Sequence, residues 1–341
     1  MAKKRYSKKG SKVEPSVLTM PFKFDVPAQG STLQFIDLSQ CASLLNRRFY
    51  RQGINWAVAG FKLVSTPGQG EAIVYKVPNT WVLANSWTKS FKAWQKMNNE
   101  ALAEAESVRP KFLDFKIYAD EQHHAAGFGA NLLPYQYAPV AGPVTAGEWF
   151  ASKFVIPVAA GAVEGAVHER EVIAVGANYP GPGASGLNAI SLIEGYAASR
   201  GLPYPEDPNV PADAADADNN TPENWMSALF NDGTAQTDEV LDTMTTQNNQ
   251  APYPFEGDGV HVDTMYPGGA NQNAGLELHD IEKVSVTTIG GTTRLKGGNF
   301  PCGLIGLFVS NTSDAIQSYT MTIDLIPGNH RGYLCESMTE M

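Results

Sequence analysis

The run CGLIGLFVS at residues 302–310, followed after a polar turn by SYTMTIDLI at 318–326, decides the fold. Each segment is short, rich in aliphatic, β-branched or aromatic residues, and bounded by residues that favour turns, so both read as strands. Similar runs recur upstream in VLTMPFKFDV (17–26), NWAVAGFKLVS (55–65), 72–77, FLDFKIY (112–118), WFASKFVIP (149–157), 167–175 and EKVSVTTI (282–289). About nine strands, separated mostly by Gly, Pro or Asn, favour a sandwich over alternating βαβ units. The expected fold class is all-β: a single jelly-roll β-sandwich with a few inserted helices, long loops and a disordered basic N-terminal arm. The expected division is an arm over 1–14 and a jelly-roll domain over 15–341, with long acidic loop insertions at about 177–280.

Helical spacing interrupts the strands in two or three places. DLSQCASLLNRRFY (37–50) has a cap in Asp37 or Ser39 and apolar Leu38, Ala42, Leu45 and Phe49 on one face. Over 86–108, Trp87, Phe91 and Trp94 make an apolar stripe and Lys89, Lys92 and Lys96 a second stripe, which Glu100 and Glu104 continue. Pro110 closes that segment, and a short helix is expected at 224–230. Residues 177–222, with NYPGPGASG, LPYPEDPNVP and ADAADADNN, read as long loops.

The chain has 341 residues, 43% of them hydrophobic, enough to bury a core in one large domain or two medium ones. Its three cysteines show no CxxC spacing, which argues against a disulfide scaffold or a cysteine zinc site. No 18-residue apolar run predicts a transmembrane helix, and the basic N-terminus is not followed by the apolar stretch of a secretory signal. The expectation is a soluble protein of a reducing compartment.

Charge is unevenly spread. The net value is −10, yet residues 1–12 (MAKKRYSKKGSK) carry Lys3, Lys4, Arg5, Lys8, Lys9 and Lys12 and no acid. Residues 201–282 hold sixteen acids and no Lys or Arg, and the remainder balances at 19 bases against 19 acids. A like-charged arm cannot fold alone and suits polyanions, because its cations release counterions condensed on phosphates. The acidic stretch would repel a packaged polyanion, so it is expected outside or between subunits, where divalent cations such as calcium would relieve its self-repulsion. No other cofactor is expected.

No catalytic signature survives inspection. Gly127-Phe128-Gly129 lacks a third glycine, GGTTRLKGG (290–298) lacks the Ser or Thr of a P-loop, and PGASGL (182–187) misses the nucleophile-elbow spacing. His123 and His124 are adjacent and point apart on either a helix or a strand, and Asp213, Asp216 and Asp218 do not complete a calcium loop. The expectation is no enzyme, no catalytic residue and no metal ligand. NRRFYRQG (46–53) is more informative: Arg47 and Arg51 share a face of the expected helix, with Arg48 beside them and Phe49 and Tyr50 between, a mix suited to phosphate contact and base stacking. The competing reading has the arginines meeting the helix dipole while the aromatics fill the core.

The arm MAKKRYSKKGSK, LLNRRFYRQGINWAVAGF (44–61), VPNTWVLANSWTKSFKAW (77–94), AGFGANLLPY (126–135) and GGTTRLKGGNFPCGLIGL (290–307) together resemble the capsid proteins of circular Rep-encoding single-stranded DNA viruses, the circovirus-like or CRESS-DNA group. The resemblance spans most of residues 1–310 and is weakest within 177–275. It implies a single jelly roll that tiles an icosahedral shell, a basic arm facing a single-stranded DNA genome, and no catalytic machinery. The implied partners are further copies of the chain, 60 or more, and that genome, with no membrane. The implied location is the virion, with the host nucleus a candidate site of assembly. The genome-binding residues would be Lys3, Lys4, Arg5, Lys8, Lys9, Lys12, Arg47, Arg48 and Arg51. The alternative from another class is a lectin-like, carbohydrate-binding jelly roll.

Overall fold

A computed structural model describes residues 15–65, 68–103, 114–157, 167–179, 188–198, 275–285, 287 and 291–340. The expected arm, most of the acidic stretch and the expected helix at 224–230 lie outside the described residues. In chain order come β1 (Thr19–Val26), β2 (Ser31–Asp37), α1 (Leu38–Asn46), β3 (Ile54–Val64) and β4 (Gly70–Lys76). The chain then leaves through α2 (Trp81–Ala101), α3 (Glu121–Ala126), the two-residue ladder of β5 (Tyr135–Gln136) and β6 (Gly142–Pro143), the small sheet of β7 (Lys153–Pro157), β8 (Val167–Ile173) and β9 (Ala189–Ser191), and α4 (Leu192–Ala198). It returns with β10 (Glu277–Val284), β11 (Thr292–Phe300), β12 (Leu304–Ser310) and β13 (Gln317–Leu325), then the hairpin of β14 (Pro327–Gly328) and β15 (Gly332–Tyr333), and β16 (Cys335–Ser337).

One sheet runs β1-β13-β3-β11 with β16 also on β3, and the other runs β10-β4-β12-β2. Each outgoing strand pairs antiparallel with a returning one: β1 with β13, β2 with β12, β3 with β11 and β4 with β10. That nesting is one long hairpin rolled into a two-sheet jelly roll, as the sequence leads one to expect. The chain between β4 and β10 connects at the tip of that hairpin, and its described residues, from Val77 on, make up the excursion.

Side-chain alternation explains the sandwich. Met20, Phe22, Phe24 and Val26 of β1 and Tyr319, Met321, Ile323 and Leu325 of β13 all point into one core, while Lys23 and Asp25 point out. In β3 the inward set changes phase, from Trp56 and Val58 to Phe61 and Leu63, where its register against β13 shifts. At that kink a Cβ on Gly297 of β11 would stand 2.3 Å from the Val58 carbonyl oxygen, so the glycine serves a close backbone approach. A second core covers part of the other face of the β10-β4-β12-β2 sheet: Phe35, Cys302 and Leu304 pack with Trp87, Phe115 and Phe154 of the excursion.

Several expectations need correction. β2 and β11 were not expected as strands, nor α3 and α4 as helices. The described part of 112–118 forms no strand, only an isolated bridge at Tyr118. β10 starts at Glu277 and ends at Val284. α1 stops at Asn46 because Arg47 turns left-handed (φ 52°), so Phe49 and Tyr50 fall beyond it. Two residues of the acidic stretch are compensated: Lys76 pairs with Glu277 at 3.7 Å, and Lys296 with Asp280 through both its backbone N–H and its ammonium.

Excursion and jelly roll are joined by a buried polar network centred on Asp37, the N-cap of α1. Its Oδ1 accepts from the backbone N–H groups of Ser39 (2.8 Å) and Gln40 (3.2 Å), and its Oδ2 from Gln52 Nε2 (3.2 Å) and Trp149 Nε1 (2.9 Å). Gln52 also holds both backbone groups of Ile117, at 2.6 and 2.9 Å, and donates its own N–H to Asp114. On the other side Gln40 accepts from Asn131, whose Oδ1 meets His123 Nε2 at 2.8 Å, while His123 Nδ1 accepts the Ala119 N–H. Burial keeps His123 neutral, its pKa pushed down to about 4. Burial pushes Asp37 up to about 6 from 3.8, against the pull of the Gln40, Trp149 and Ser39 donors.

Asp37→Ala removes a helix cap, the acceptor of the half-buried Trp149 indole and one of the two acceptors of Gln52 Nε2, so it should cost about 3 kcal/mol. Because the native pKa of Asp37 lies above its unfolded value, its titration adds stability that is complete in acid and lost as pH rises through about 6. Denaturant melts of both proteins should show the advantage of the wild type widening by about 1 kcal/mol from pH 7 to pH 5. A constant gap would mean that Asp37 does not titrate in that window.

Candidate nucleic-acid interface

The segment after α1 builds a corner. Asn46 folds back on its helix, donating to the Ala42 carbonyl (2.9 Å) and to the Tyr333 hydroxyl (2.7 Å) and accepting the Val17 N–H (2.9 Å). Tyr333 donates to the Val17 carbonyl, and Ser16 donates to the carbonyl of Gly332. Tyr50 is fully buried against Trp56 and Tyr333, and its hydroxyl donates to the Arg331 carbonyl. Arg48 donates to the carbonyl of Pro15. The root of the N-terminal segment, the end of α1 and the β14–β15 hairpin therefore meet at one place.

The expected helical arginine face is not what forms. With α1 ended at Asn46, Arg47 and Arg51 do not share a helix face, and Tyr50 fills the core instead of offering its ring to a base. Arg47 and Arg51 are exposed and Arg48 is half-buried. Lys3, Lys4, Arg5, Lys8, Lys9 and Lys12 lie outside the described residues, attached through Pro15 to this corner. Lys89, Lys92 and Lys96 are exposed on α2, with Lys89 Nζ 5.7 Å over the Tyr196 ring, and none of the three lines the cleft described next.

Beside the corner lies a cleft of about 450 Å³. Its aromatic side is Phe49, Trp87, Phe91 and Phe115. Trp87 and Phe91 stack with centroids 4.9 Å apart, and Phe115 stands 6.1 Å from each. Its polar side includes Arg51, Arg331, His330 and Asp114. Arg331 has φ 50° and donates to the Phe49 carbonyl, which holds its hairpin tip over the cleft. Burial raises the pKa of Asp114, opposed by Lys116 at 3.2 Å and by the charge of Arg51. Burial and the Arg331 charge lower that of His330, keeping it neutral at pH 7. With Asp114 balanced by Lys116, the two guanidinium groups leave the cleft net positive. Arginines beside the half-buried rings of Phe49 and Phe91 suit a phosphate with an adjoining base.

Of the three expected residues that are described, Arg47, Arg48 and Arg51, only Arg51 lines the cleft. Trp87, Phe91, Phe115, His330 and Arg331 were not singled out as binding residues. The one sequence hint for Arg331 is its place in GNHRGY, a basic residue between turn formers. The two histidines diverge: His123 stacks on Phe35 inside, while His124 pairs with Glu171 at 3.0 Å. Among the described residues no group of three or more His, Cys, Asp or Glu is placed to hold a metal ion, and no helix is long and apolar enough to cross a membrane.

Replacing both Arg51 and Arg331 with Gln should weaken binding of a single-stranded oligodeoxynucleotide by the purified chain. The slope of log affinity against log salt should fall by about 0.7, the value for the one phosphate that the two side chains would share. Lys62→Gln, on a side chain already paired with Asp324 at 2.7 Å, should leave the slope unchanged. Anisotropy titrations across salt check this, and equal slopes for the double variant and the wild type would remove the cleft from the interface. Compared with known proteins, the chain matches no family model, no curated protein and no solved structure.

Proposed function

We propose that this chain is a viral capsid protein that assembles with many copies of itself into an icosahedral shell and encloses single-stranded DNA. The observation that carries the reading is the joining of two features: a jelly roll, and an arm of six positive charges that enters it at the corner bearing Arg48, Arg51 and Arg331. A polyanion held by the arm would lie against that corner, because the attachment at Pro15 keeps the two within a few residues of each other. Exposed apolar side chains at Tyr137, Val140, Phe150 and Ile316 supply area that contacts between copies would cover. The family resemblance of the arm and of segments 44–61, 77–94 and 290–307 supports the same reading. In this account the protein is not an enzyme, and its place is the virion.

The aromatic side of the cleft would also suit a sugar ring, which keeps a lectin-like reading as the alternative. The net positive charge of the cleft favours an anion over a neutral sugar.

Charge arithmetic sharpens the proposal. A gene for this chain alone carries roughly 1,000 phosphates, whereas sixty arms supply roughly 360 positive charges and 180 arms roughly 1,080. Arms alone cannot neutralise a genome that also encodes a replication protein, so inward-facing arginines such as Arg47, Arg48 and Arg51 would add to them. Deleting residues 2–12 should therefore leave particles of megadalton size while reducing the nucleic acid they contain. Light scattering together with the ratio of absorbance at 260 and 280 nm reads both. Wild-type protein that stays a monomer or small oligomer across salt and pH would overturn the capsid reading, and undiminished nucleic acid in the deletion would overturn the role of the arm.

A further inference from the structure

We infer that the cleft beside the arm root is a site for one nucleotide, taking an unpaired base against its aromatic side and the attached phosphate on Arg51 and Arg331. The inference deepens the nucleic-acid part of the reading above and rests on it only for the source of the nucleotide. Three observations carry it. The first is charge: two guanidinium groups reach the cleft, His330 is neutral, and the one carboxylate, Asp114, is balanced by Lys116. The second is shape. Phe49 and Phe91 are half-buried and so within reach of a ligand, Trp87 stacks behind Phe91 at 4.9 Å, and about 450 Å³ lies within the range of small-molecule sites.

The third is an unmet donor. Trp87 is 4% exposed, and its Nε1 has no hydrogen-bond partner. The ring edge next to that nitrogen lies against Gly53, a wall of the cleft, where an added Cβ would stand 2.3 Å from Cζ2. A buried N–H without an acceptor is costly, and a base carbonyl or ring nitrogen would satisfy it once the Gly53 segment, which closes the nitrogen off from the cleft, gives way. Inorganic phosphate would meet the arginines and leave the indole unpaired, and an apolar ligand would do neither. The combination selects a planar heteroaromatic ring with an anionic group attached. A base must be unpaired to reach the cleft, so the site takes single-stranded DNA or a free nucleotide and excludes duplex.

The test uses the full chain, stripped of nucleic acid by nuclease and high salt, in isothermal titrations with thymidine monophosphate, thymidine, glucose and inorganic phosphate. Thymidine monophosphate should bind, with thymidine and phosphate each about tenfold weaker or worse. Arg51→Gln, at an exposed position, should reduce its affinity about tenfold with an unchanged melting temperature. Trp87→Phe, which keeps a ring and removes Nε1, should reduce it about fivefold. A short oligothymidylate should bind more tightly than the mononucleotide if the natural source is a strand, and no better if it is a free nucleotide. Equal binding of phosphate and thymidine monophosphate, binding of glucose in their place, or an unaffected Arg51→Gln variant would each overturn the site. Light scattering on the same samples separates the two readings. Particles without nucleotide binding remove the cleft and spare the capsid, whereas nucleotide binding without particles does the reverse.

Discussion

The Asp37 carboxylate is the point on which the two halves of this molecule depend. It ends β2, caps α1 and, through Gln52 and Trp149, fixes residues 114–117 and Trp149 of the excursion against the jelly roll. Buried charge is tolerated only where hydrogen bonds replace water, and Asp37 has four. Gln52 extends the same constraint: it clamps Ile117 by both backbone groups and bonds Asp114, so residues 114–117 lie beside the loop that carries Arg51. The aromatic side of the cleft comes mostly from the excursion and its arginines from the jelly roll. The site therefore exists only because the network holds the two together.

Packing on both faces of one sheet follows from that arrangement. Phe35 and Ile36 are neighbours in β2, yet Ile36 enters the core between the sheets while Phe35 joins Trp87 and Phe115 in the second core. The excursion thus shields apolar surface that an isolated jelly roll would expose. On the opposite sheet Lys23, Asp25, Lys62 and Asp324 lie on the outer face, where Tyr135 and Tyr137 of the excursion reach over Lys23.

Much of the sandwich could be read from the sequence, because β1, β4 and β13 alternate with period two. β2 could not, since its buried end faces two cores and the alternation disappears. β11 could not, since TTRLKGGNF looks like a glycine loop until Gly297 is seen crossing Val58 and Ala59. α1 seemed longer because Phe49 and Tyr50 prolong its apolar spacing, and nothing in the sequence marks Arg47 as left-handed. The cleft was the least legible part. It gathers residues from 49–54, 87–91, 114–115 and 330–339, segments with no shared periodicity, and only the basic-aromatic mix of NRRFYRQG pointed near it. The charge asymmetry, by contrast, was plain in the sequence, although the residues that carry most of it lie outside the described structure.

The central claim is that one corner of the jelly roll, carrying the arm root, three arginines and the aromatic cleft, faces an enclosed genome. Electron cryomicroscopy of the purified particles tests it most directly. The account predicts a closed shell in which Pro15, Arg48 and Arg331 line the lumen, with density for bases against Trp87 and Phe91. A closed shell with that corner on its outer surface, or protein that forms no shell at all, would contradict it.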